Sequence, residues 1–231
     1  MGYTDLVTVD VEHPRVHDIF RGAYTAERAA ALSGVPRSTL YYWAAHAIWE
    51  PSLRQTRPRL WTYADVLALR MIHWLRHPKK DDVGLPVKPS TMQQVRGTLL
   101  EIRSRGHDIW ETDIRVLVDR GGNVFFQMDA GVWNEGQAVL PDALDLLGEF
   151  AWSADLRGPN LVRPRPTLRI VPGKLSGEPH VGGTRIATRN IAALVADGIG
   201  VESVLSLYPD LQTESIADSV DLEQQLRANA A

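Results

Sequence analysis

The stretch from Tyr24 to Trp49, YTAERAAALSGVPRSTLYYWAAHAIW, constrains the fold more than any other part of the chain. Its alanines and Leu32 give a first helix one small apolar face, and Gly34 allows the turn that ends this helix. Pro36 then starts a second helix, on which apolar residues recur with the spacing i, i+3, i+4 and i+7. The pattern predicts a helix-turn-helix, with an ordinary helical hairpin as the alternative.

The second helix of this pair carries polar and aromatic residues opposite its apolar face. In helix-turn-helix proteins this side of the helix touches base edges and phosphates. The candidate DNA-binding residues here are Arg37, Ser38, Thr39, Tyr41 and Tyr42. In the next stretch, PSLRQTRPRLWT, two prolines exclude a helix and three arginines supply positive charge. We expect this stretch to be a basic wing that contacts DNA through Arg54, Arg57 and Arg59.

A third helix is predicted from Thr62 to Leu75, because Thr62 and Asp65 form a capping box and the following residues are apolar nearly all round. This helix should bury the first two. His73 and His77 lie four residues apart on it, which is a metal-ligand spacing, but no acid or third histidine completes a known pattern. We therefore predict no metal site and expect the two histidines to face phosphate or solvent.

Residues 24 to 77 resemble the winged helix-turn-helix of MerR-type regulators. That family pairs a V-x-x-x-T-L-x-Y-[YW] recognition helix with a later Y-[ST]-x-x-D-[VL] helix. The matching residues are Val35, Thr39, Leu40, Tyr42, Trp43, Trp61, Thr62, Asp65 and Val66. The sequence departs from the family at Tyr41, usually a phosphate-binding arginine, and at Ala44, usually an acid. Because helix-turn-helix proteins usually match the two-fold symmetry of their operators, we expect a homodimer.

Charge is distributed unevenly, although the formal net charge of the chain is only −3. Ten basic and three acidic residues lie between Arg21 and Lys80, whereas seven acids and one arginine lie from Asp197 onward. The N-terminal part should attract phosphate and the C-terminal part should repel it. The chain has no cysteine, which excludes disulfides, thiolate metal sites and cysteine nucleophiles.

A charged, proline-containing break, HPKKDDVGLPVKP, precedes a middle segment. There a helix capped by Ser90 is predicted, then two strands over 113–119 and 123–128 joined through glycines as a hairpin. A further helix is predicted over 142–152. The segment could pack on the first unit, pair with a second copy or hold a small effector, and its apolar faces favour packing.

Residues 156–172 are rich in proline and arginine, which predicts an extended, basic connector. It could be a strap that reaches into an acidic partner or follows a phosphate backbone, or it could be a solvated linker. The candidate partner-binding residues are Arg157, Arg163 and Arg165 in this stretch and Arg185 beyond it. For Arg185 the alternative is that it caps carbonyls within its own domain.

The last segment contains the most specific string of the chain, GEPHVGGTRIATRN. Its glycines allow tight turns around a short strand. Three short helices are predicted next, with breaks at Gly198 and before Pro209. Four acids of the third helix would repel phosphate, so we assign DNA binding to residues 36–59 and protein contact to this segment.

This segment is similar to the antitoxin domain of VapB-like toxin–antitoxin modules, which carries G-x-P-x-[IV]-x-G-T-R-[IV], then a-x-G, then Y-P-x-L-[ST]. The matching residues are Gly177, Pro179, Val181, Gly183, Thr184, Arg185, Ile186, Ala196, Gly198, Tyr208, Pro209, Leu211 and Thr213. The resemblance implies a trihelical, homeodomain-like domain and a PIN-like ribonuclease toxin as partner. It also implies a large antitoxin form with a separate N-terminal helix-turn-helix.

The expected fold is mainly α with small β elements. Its expected parts are a lead-in (1–20), the winged helix-turn-helix (21–82), the middle segment (83–155), the connector (156–172) and the homeodomain-like domain (173–231). No phosphate-cradling glycine motif, nucleophile elbow or carboxylate pair is present, so we predict neither an enzyme nor a cofactor. Without a signal peptide or an apolar run of ~20 residues, we expect a cytoplasmic protein that does not enter membranes.

These inferences predict a type II antitoxin that neutralises a PIN-like ribonuclease toxin and represses its own promoter by binding double-stranded operator DNA. The alternative is a stand-alone MerR-like regulator whose C-terminal part binds an effector or oligomerises. A purely structural interaction module without a DNA role is a third possibility.

Overall fold

The fold of the protein is mainly α, with small antiparallel β elements, as the sequence predicts. A computed structural model describes residues 21–80, 84–104, 115–128, 131–133, 147–151 and 157–230. The predicted lead-in, 1–20, lies outside this part of the chain. Among the residues described, no helix is both long and apolar enough to cross a membrane.

The N-terminal unit consists of three helices, α1 (Ala26–Ser33), α2 (Arg37–Ala45) and α3 (Tyr63–Arg76). Thr25 begins α1 by accepting a hydrogen bond from the backbone N–H of its first turn. Gly34 ends α1 in the left-handed conformation, with φ of 76°, which a residue without a side chain adopts freely. These helices form where the sequence predicts them, and α1 packs on both α2 and α3.

The middle segment packs on the N-terminal unit through its helix. Its elements are β1 (Lys79–Lys80), β2 (Pro86–Val87), α4 (Met92–Ser104), β3 (Arg115–Val118), β4 (Val124–Met128) and β5 (Gly131–Trp133). The predicted hairpin is present, because β3 pairs with β4 in an antiparallel ladder that β5 extends. Val95 and Leu99 of α4 are buried in the shared core, and the backbone N–H of Ser90 donates to Leu75 O at 2.8 Å.

The C-terminal unit combines four very short strands with three helices. Its elements are β6 (Phe150–Ala151), β7 (Arg157–Gly158), β8 (Leu168–Arg169), β9 (His180–Val181), α5 (Thr188–Ala196), α6 (Val201–Leu207) and α7 (Thr213–Ala230). The three helices form where the sequence predicts them. The helix predicted over 142–152 is wrong for the residues that the structure describes there, because residues 150–151 form β6 and pair with β7.

Residues 157–172 do not form the extended connector that the sequence predicts. The backbone turns back on itself, because Leu168 N donates to Arg165 O at 3.1 Å and Ile170 N donates to Val162 O at 3.0 Å. Leu161, Leu168 and Ile170 are buried, and Tyr63 donates its hydroxyl to Leu161 O at 2.9 Å, whereas Val171 is exposed. The segment therefore belongs to the packed structure between β7 and β8.

Arg70 of α3 joins three parts of the chain and has no solvent exposure. Its guanidinium donates to Leu32 O at 2.7 Å, to Gly148 O at 2.8 Å and to Pro159 O at 2.5 Å. A buried guanidinium is stable only when its donors find acceptors, and here backbone carbonyls supply them. This arginine is thus an internal support, although its charge counts toward the basic N-terminal part of the sequence.

The N-terminal and C-terminal units share one core because α7 lies along α1. Arg28 of α1 forms a bidentate pair with Glu223 of α7, at 2.9 and 2.8 Å, and approaches Glu178 at 2.9 Å. Beside this pair, the Tyr24 hydroxyl donates to Gly177 O at 2.9 Å. We call these five residues the clasp. They hold α1 in a fixed position on the C-terminal unit.

Two pKa values in the clasp reflect its burial. Burial raises the pKa of Tyr24 well above its ordinary value, so the hydroxyl remains a donor. Burial alone would raise the pKa of Glu223, but the hydrogen bonds and charge of Arg28 hold it below its ordinary value. Thr188 adds a hydrogen bond to the same carboxylate at 2.5 Å. The clasp therefore holds Glu223 in its ionised form.

Candidate nucleic-acid interface

The packing of α2 decides which of its residues face solvent. Leu40, Trp43 and Ala44 are buried against the unit. The opposite side of α2 is open: Arg37, Ser38, Tyr41 and Tyr42 are exposed and Thr39 is half-buried. A helix that begins with two exposed polar residues and continues with two exposed tyrosines offers both donors and flat ring surfaces.

The predicted wing is a loop between α2 and α3, closed by a short antiparallel bridge. The backbone groups of Arg54 and Leu60 exchange two hydrogen bonds, at 3.1 and 3.0 Å. Within the loop, Arg54 donates to Arg57 O at 3.2 Å and Arg59 donates to Gln55 O at 3.2 Å. Arg54 and Arg57 are exposed and Arg59 is half-buried, so the wing presents three guanidinium groups near its tip.

Asp65 fixes the root of the wing to α3. Its carboxylate accepts from Trp49 Nε1 at 3.0 Å, from the backbone and hydroxyl of Ser52 at 2.9 and 2.8 Å, and from Thr62 N at 2.8 Å. Of these hydrogen bonds, the capping box that the sequence predicted accounts only for the one from Thr62 N. The contacts with Trp49 and Ser52 could not be predicted, because no periodic pattern relates a loop residue to a helix cap.

α2 and the wing face one groove of about 880 Å³. Of the predicted DNA-binding residues, Arg37, Tyr41, Arg57 and Arg59 line it. Ser38, Thr39, Tyr42 and Arg54 do not line the groove. Guanidinium groups along a concave surface can bind phosphate oxygens in a bidentate manner. Sequence reasoning missed Glu27, which lies in the same groove and makes one part of it acidic.

His73, in the last turn of α3, is half-buried, and His77, the residue after the helix, is exposed. Their rings stack, with centroids 3.4 Å apart, and His77 Nδ1 lies 2.9 Å from His73 O. Burial lowers the pKa of His73 to about 2, with His77 and Arg70 as smaller causes. His73 is therefore neutral and not the phosphate-facing or solvated group that the sequence predicted. No cluster of three potential metal ligands occurs among the described residues.

Three of the four candidate partner-binding arginines line a second cavity, which we call the arginine cleft. Arg157, Arg163 and Arg165 surround about 660 Å³, together with Glu149 and Gln225 among others. Arg165 is already engaged, because it donates to Asp221 at 2.6 Å and to Gln225 at 2.7 Å. Arg163 donates to Pro166 O at 3.2 and 3.0 Å. The cleft can accept an anionic group, with Arg157 exposed at its edge.

Arg185 does not belong to the arginine cleft. It is exposed, and its guanidinium donates no hydrogen bond to any residue in the described part of the chain. Local capping of carbonyls, the alternative role for this arginine, is thus absent among those residues.

Of the four acids of α7, Glu223 is buried and Asp218 is half-buried, whereas Glu214 and Asp221 are exposed. Asp218 accepts from the backbone and hydroxyl of Thr167 at 3.0 and 2.7 Å, Asp221 pairs with Arg165, and Glu223 belongs to the clasp. The argument that these acids form a phosphate-repelling surface therefore holds for Glu214 but not for Glu223, which is buried. The exposed acids of the C-terminal unit are Asp197, Glu202, Asp210, Glu214 and Asp221.

Comparison with known proteins bears on the C-terminal unit. No curated protein and no solved structure shows significant similarity to the chain. The model of one family, described as a protein of unknown function (DUF433), matches residues 169–221. The C-terminal unit, from β8 into α7, is therefore similar to DUF433, and the helix-turn-helix lies outside the matched residues.

Proposed function

We propose that the chain is the DNA-binding antitoxin of a type II toxin–antitoxin module. It binds the promoter of its own operon as an autorepressor and neutralises a PIN-like ribonuclease toxin. One observation carries the DNA part: α2 and the wing direct Arg37, Tyr41 and Arg57 toward the same groove. The resemblance to VapB-like antitoxins supports the toxin part. The match with DUF433, a family commonly associated with small toxin–antitoxin-like proteins, supports it as well.

In this proposal the two parts of the interface act differently on DNA. Arg37 and Ser38, at the start of α2, and Tyr42, on its exposed side, meet base edges and nearby phosphates. Arg54, Arg57 and Arg59 bind backbone phosphates beside the groove that α2 enters, which fixes orientation without reading sequence. A homodimer places two such units on a two-fold operator.

The salt dependence of binding tests the wing. We expect the variant with Arg54, Arg57 and Arg59 replaced by alanine to bind a promoter duplex more weakly, measured by fluorescence anisotropy. The slope of log K against log salt should become shallower by about 0.9 for each phosphate contact removed. Lys88→Ala with Arg96→Ala, two exposed basic residues of the middle segment, is the matched control. A slope equal to that of the unmodified protein would refute the wing assignment.

For the toxin, we assign the arginine cleft as the contact surface and propose that it binds an acidic group of the nuclease. Arg157 and Arg163 are the residues available for this, since Arg165 is already paired with Asp221. Arg185 would make a separate contact. The reading frame beside this gene supplies the test protein. Its capture by the full chain, and loss of capture when Arg157 and Arg163 become alanine, would support the assignment.

The second candidate is a stand-alone MerR-like regulator whose C-terminal part binds an effector. The size of the arginine cleft, about 660 Å³, favours this candidate, because small-molecule sites have volumes of ~300–1,000 Å³. The two functions differ in what changes promoter binding. A neighbouring nuclease should alter promoter affinity in the antitoxin, whereas a small anion without any protein partner should do so in the regulator.

A further inference from the structure

The helix α6 and the loops beside it form a surface that is both acidic and apolar. Ile199, Val201 and Leu207 are 37, 40 and 62% exposed. Around them lie the exposed acids Asp197, Glu202, Asp210 and Glu214. The sequence has no lysine or arginine between Arg189 and Arg227, so none of these acids has a basic neighbour along the chain. We call these seven residues the acidic surface.

The helix-turn-helix exposes the opposite combination. Tyr41, Tyr42 and Leu53 are 45, 55 and 49% exposed. Arg37, Arg54 and Arg57 lie among them and are exposed as well. We call these six residues the basic surface. Each surface thus has exposed apolar side chains beside charges mostly of one sign, and the two signs are opposite. Glu27, in the groove beside Arg37, and Glu50 are exposed acids near the basic surface.

The two surfaces do not cover each other within one chain. The residues of both surfaces are exposed in the folded chain, in which Arg28 and Glu223 already hold the two units together. Both surfaces therefore face solvent in the folded chain. An exposed apolar patch with a charged rim is typical of an interaction site, and complementary charges favour one orientation of the partners.

We propose that the acidic surface of one copy of this chain binds the basic surface of a second copy. Charge favours a second copy as the partner. The acidic surface repels nucleic acid, and the basic surface offers arginines of opposite charge together with exposed tyrosines and Leu53. Two copies that bind each other reciprocally form a closed pair, and copies that bind in one direction form longer chains. In either arrangement the basic surface is covered, and double-stranded DNA competes for it.

This inference does not rest on the proposed function, since it uses only charges and exposed areas of the chain itself. Sedimentation velocity of the full chain at micromolar concentration tests it. We expect association at about 0.1 M NaCl, where the Debye length is ~10 Å, and dissociation at about 1 M, where it is ~3 Å.

Charge reversal identifies the surfaces involved. We expect Glu202→Lys with Asp210→Lys, and separately Arg54→Glu with Arg57→Glu, each to weaken association at least about tenfold, because like charges then face each other. An equimolar mixture of the two variants should associate again, since each then offers the charge that the other lacks. Lys88→Glu with Arg96→Glu, exposed residues outside both surfaces, should associate like the unmodified chain.

Three results would overturn the proposal: a chain that stays monomeric at low salt, reversed variants that associate as before, or a mixture of folded variants that stays monomeric. Circular dichroism checks that each variant is folded. Duplex DNA should dissociate the assembly of the unmodified chain. If the chain associates as expected but binds no promoter DNA, the proposed repressor function fails while the contact between copies stands.

Discussion

The N-terminal and C-terminal units are both built on three helices, yet they place their charges differently. In the N-terminal unit the arginines of α2 and the wing face solvent, and the main buried carboxylate, Asp65, accepts four hydrogen bonds at the root of the wing. In the C-terminal unit Asp218 and Glu223 of α7 face the interior. The charge of a segment in the sequence is therefore a poor measure of the charge on its surface.

The same comparison explains why the acidic surface is centred on α6 and takes only Glu214 from α7. The acids of α7 satisfy buried donors of Arg28 and Thr167, whereas the acids beside α6 have no such partners among the hydrogen bonds of the described residues. Buried charges stabilise the joint between the units, and in our proposals the exposed charges serve binding.

Removing Glu223 should have the largest effect. Glu223→Ala leaves the guanidinium of Arg28 buried without its main partner, so we expect the free energy of unfolding to fall by about 3–5 kcal/mol. Urea unfolding followed by tryptophan fluorescence measures this. Glu214→Ala, an exposed acid on the same helix, is the control and should change stability by less than about 0.5 kcal/mol. Equal losses in the two variants would show that the clasp does not join the units.

Replacing Asp65 tests the corresponding support in the N-terminal unit. Asp65→Ala removes the carboxylate that accepts from Trp49 Nε1 and from the Ser52 N–H, and we expect the free energy of unfolding to fall by about 2–3 kcal/mol. The wing should also lose its fixed position, so promoter affinity should fall in the folded variant. Glu50→Ala, an exposed acid near the wing, provides the comparison. If folded Asp65→Ala keeps the promoter affinity of the unmodified chain, the position of the wing does not matter for DNA binding.

The half-buried His73 should make stability depend on pH. The pKa of His73 is about 2 in the folded chain, against 6.5 when unfolded, so the unfolded state binds more protons between these values. The contribution of His73 to stability should therefore be constant above pH 6.5 and fall as the pH decreases below it, by at most about 1.4 kcal/mol per pH unit.

In His73→Gln this dependence should be weaker, whereas the exposed His46→Gln should retain it. Thermal unfolding at pH 7 and pH 5 measures both variants. The same loss of stability in His73→Gln and in the unmodified chain would contradict the assignment.

The ion pair between Arg165 and Asp221 should have the smallest effect. Asp221 is 67% exposed in its side chain, so Asp221→Asn should change stability by less than about 1 kcal/mol. The change removes the ion pair of Arg165 in the arginine cleft and leaves its hydrogen bond to Gln225. In the proposed antitoxin, capture of the toxin should then be maintained or improved. If the free energy of unfolding of Asp221→Asn fell by several kcal/mol, the pair would be acting as a buried ion pair.

The sequence predicted those parts of the structure that depend on local signals. Thr25, Gly34 and the capping box of Thr62 and Asp65 mark helix ends, and the helices begin and end there. The hairpin of β3 and β4 follows from two short apolar runs, RVLV and VFF, joined through two glycines. The exposed side of α2 was predictable for the same reason, because helical periodicity separates its buried and open faces.

The remaining features depend on residues that are far apart in the chain. Arg28 and Glu223 are separated by 195 positions, and no periodicity relates them. Strands of two residues, such as β6, exist only because a partner strand is brought beside them, so local propensity indicated a helix at that place. The arginine cleft likewise combines residues of the connector with the end of α7.

The clasp also has a consequence for the order of events during synthesis. Glu223 leaves the ribosome 195 residues after Arg28, a delay of roughly 10–40 s at ~5–20 residues per second. During that interval the face of α1 that α7 later covers is open to other molecules. A nascent helix-turn-helix in this protein therefore reaches its final packing only after the C-terminal unit has emerged.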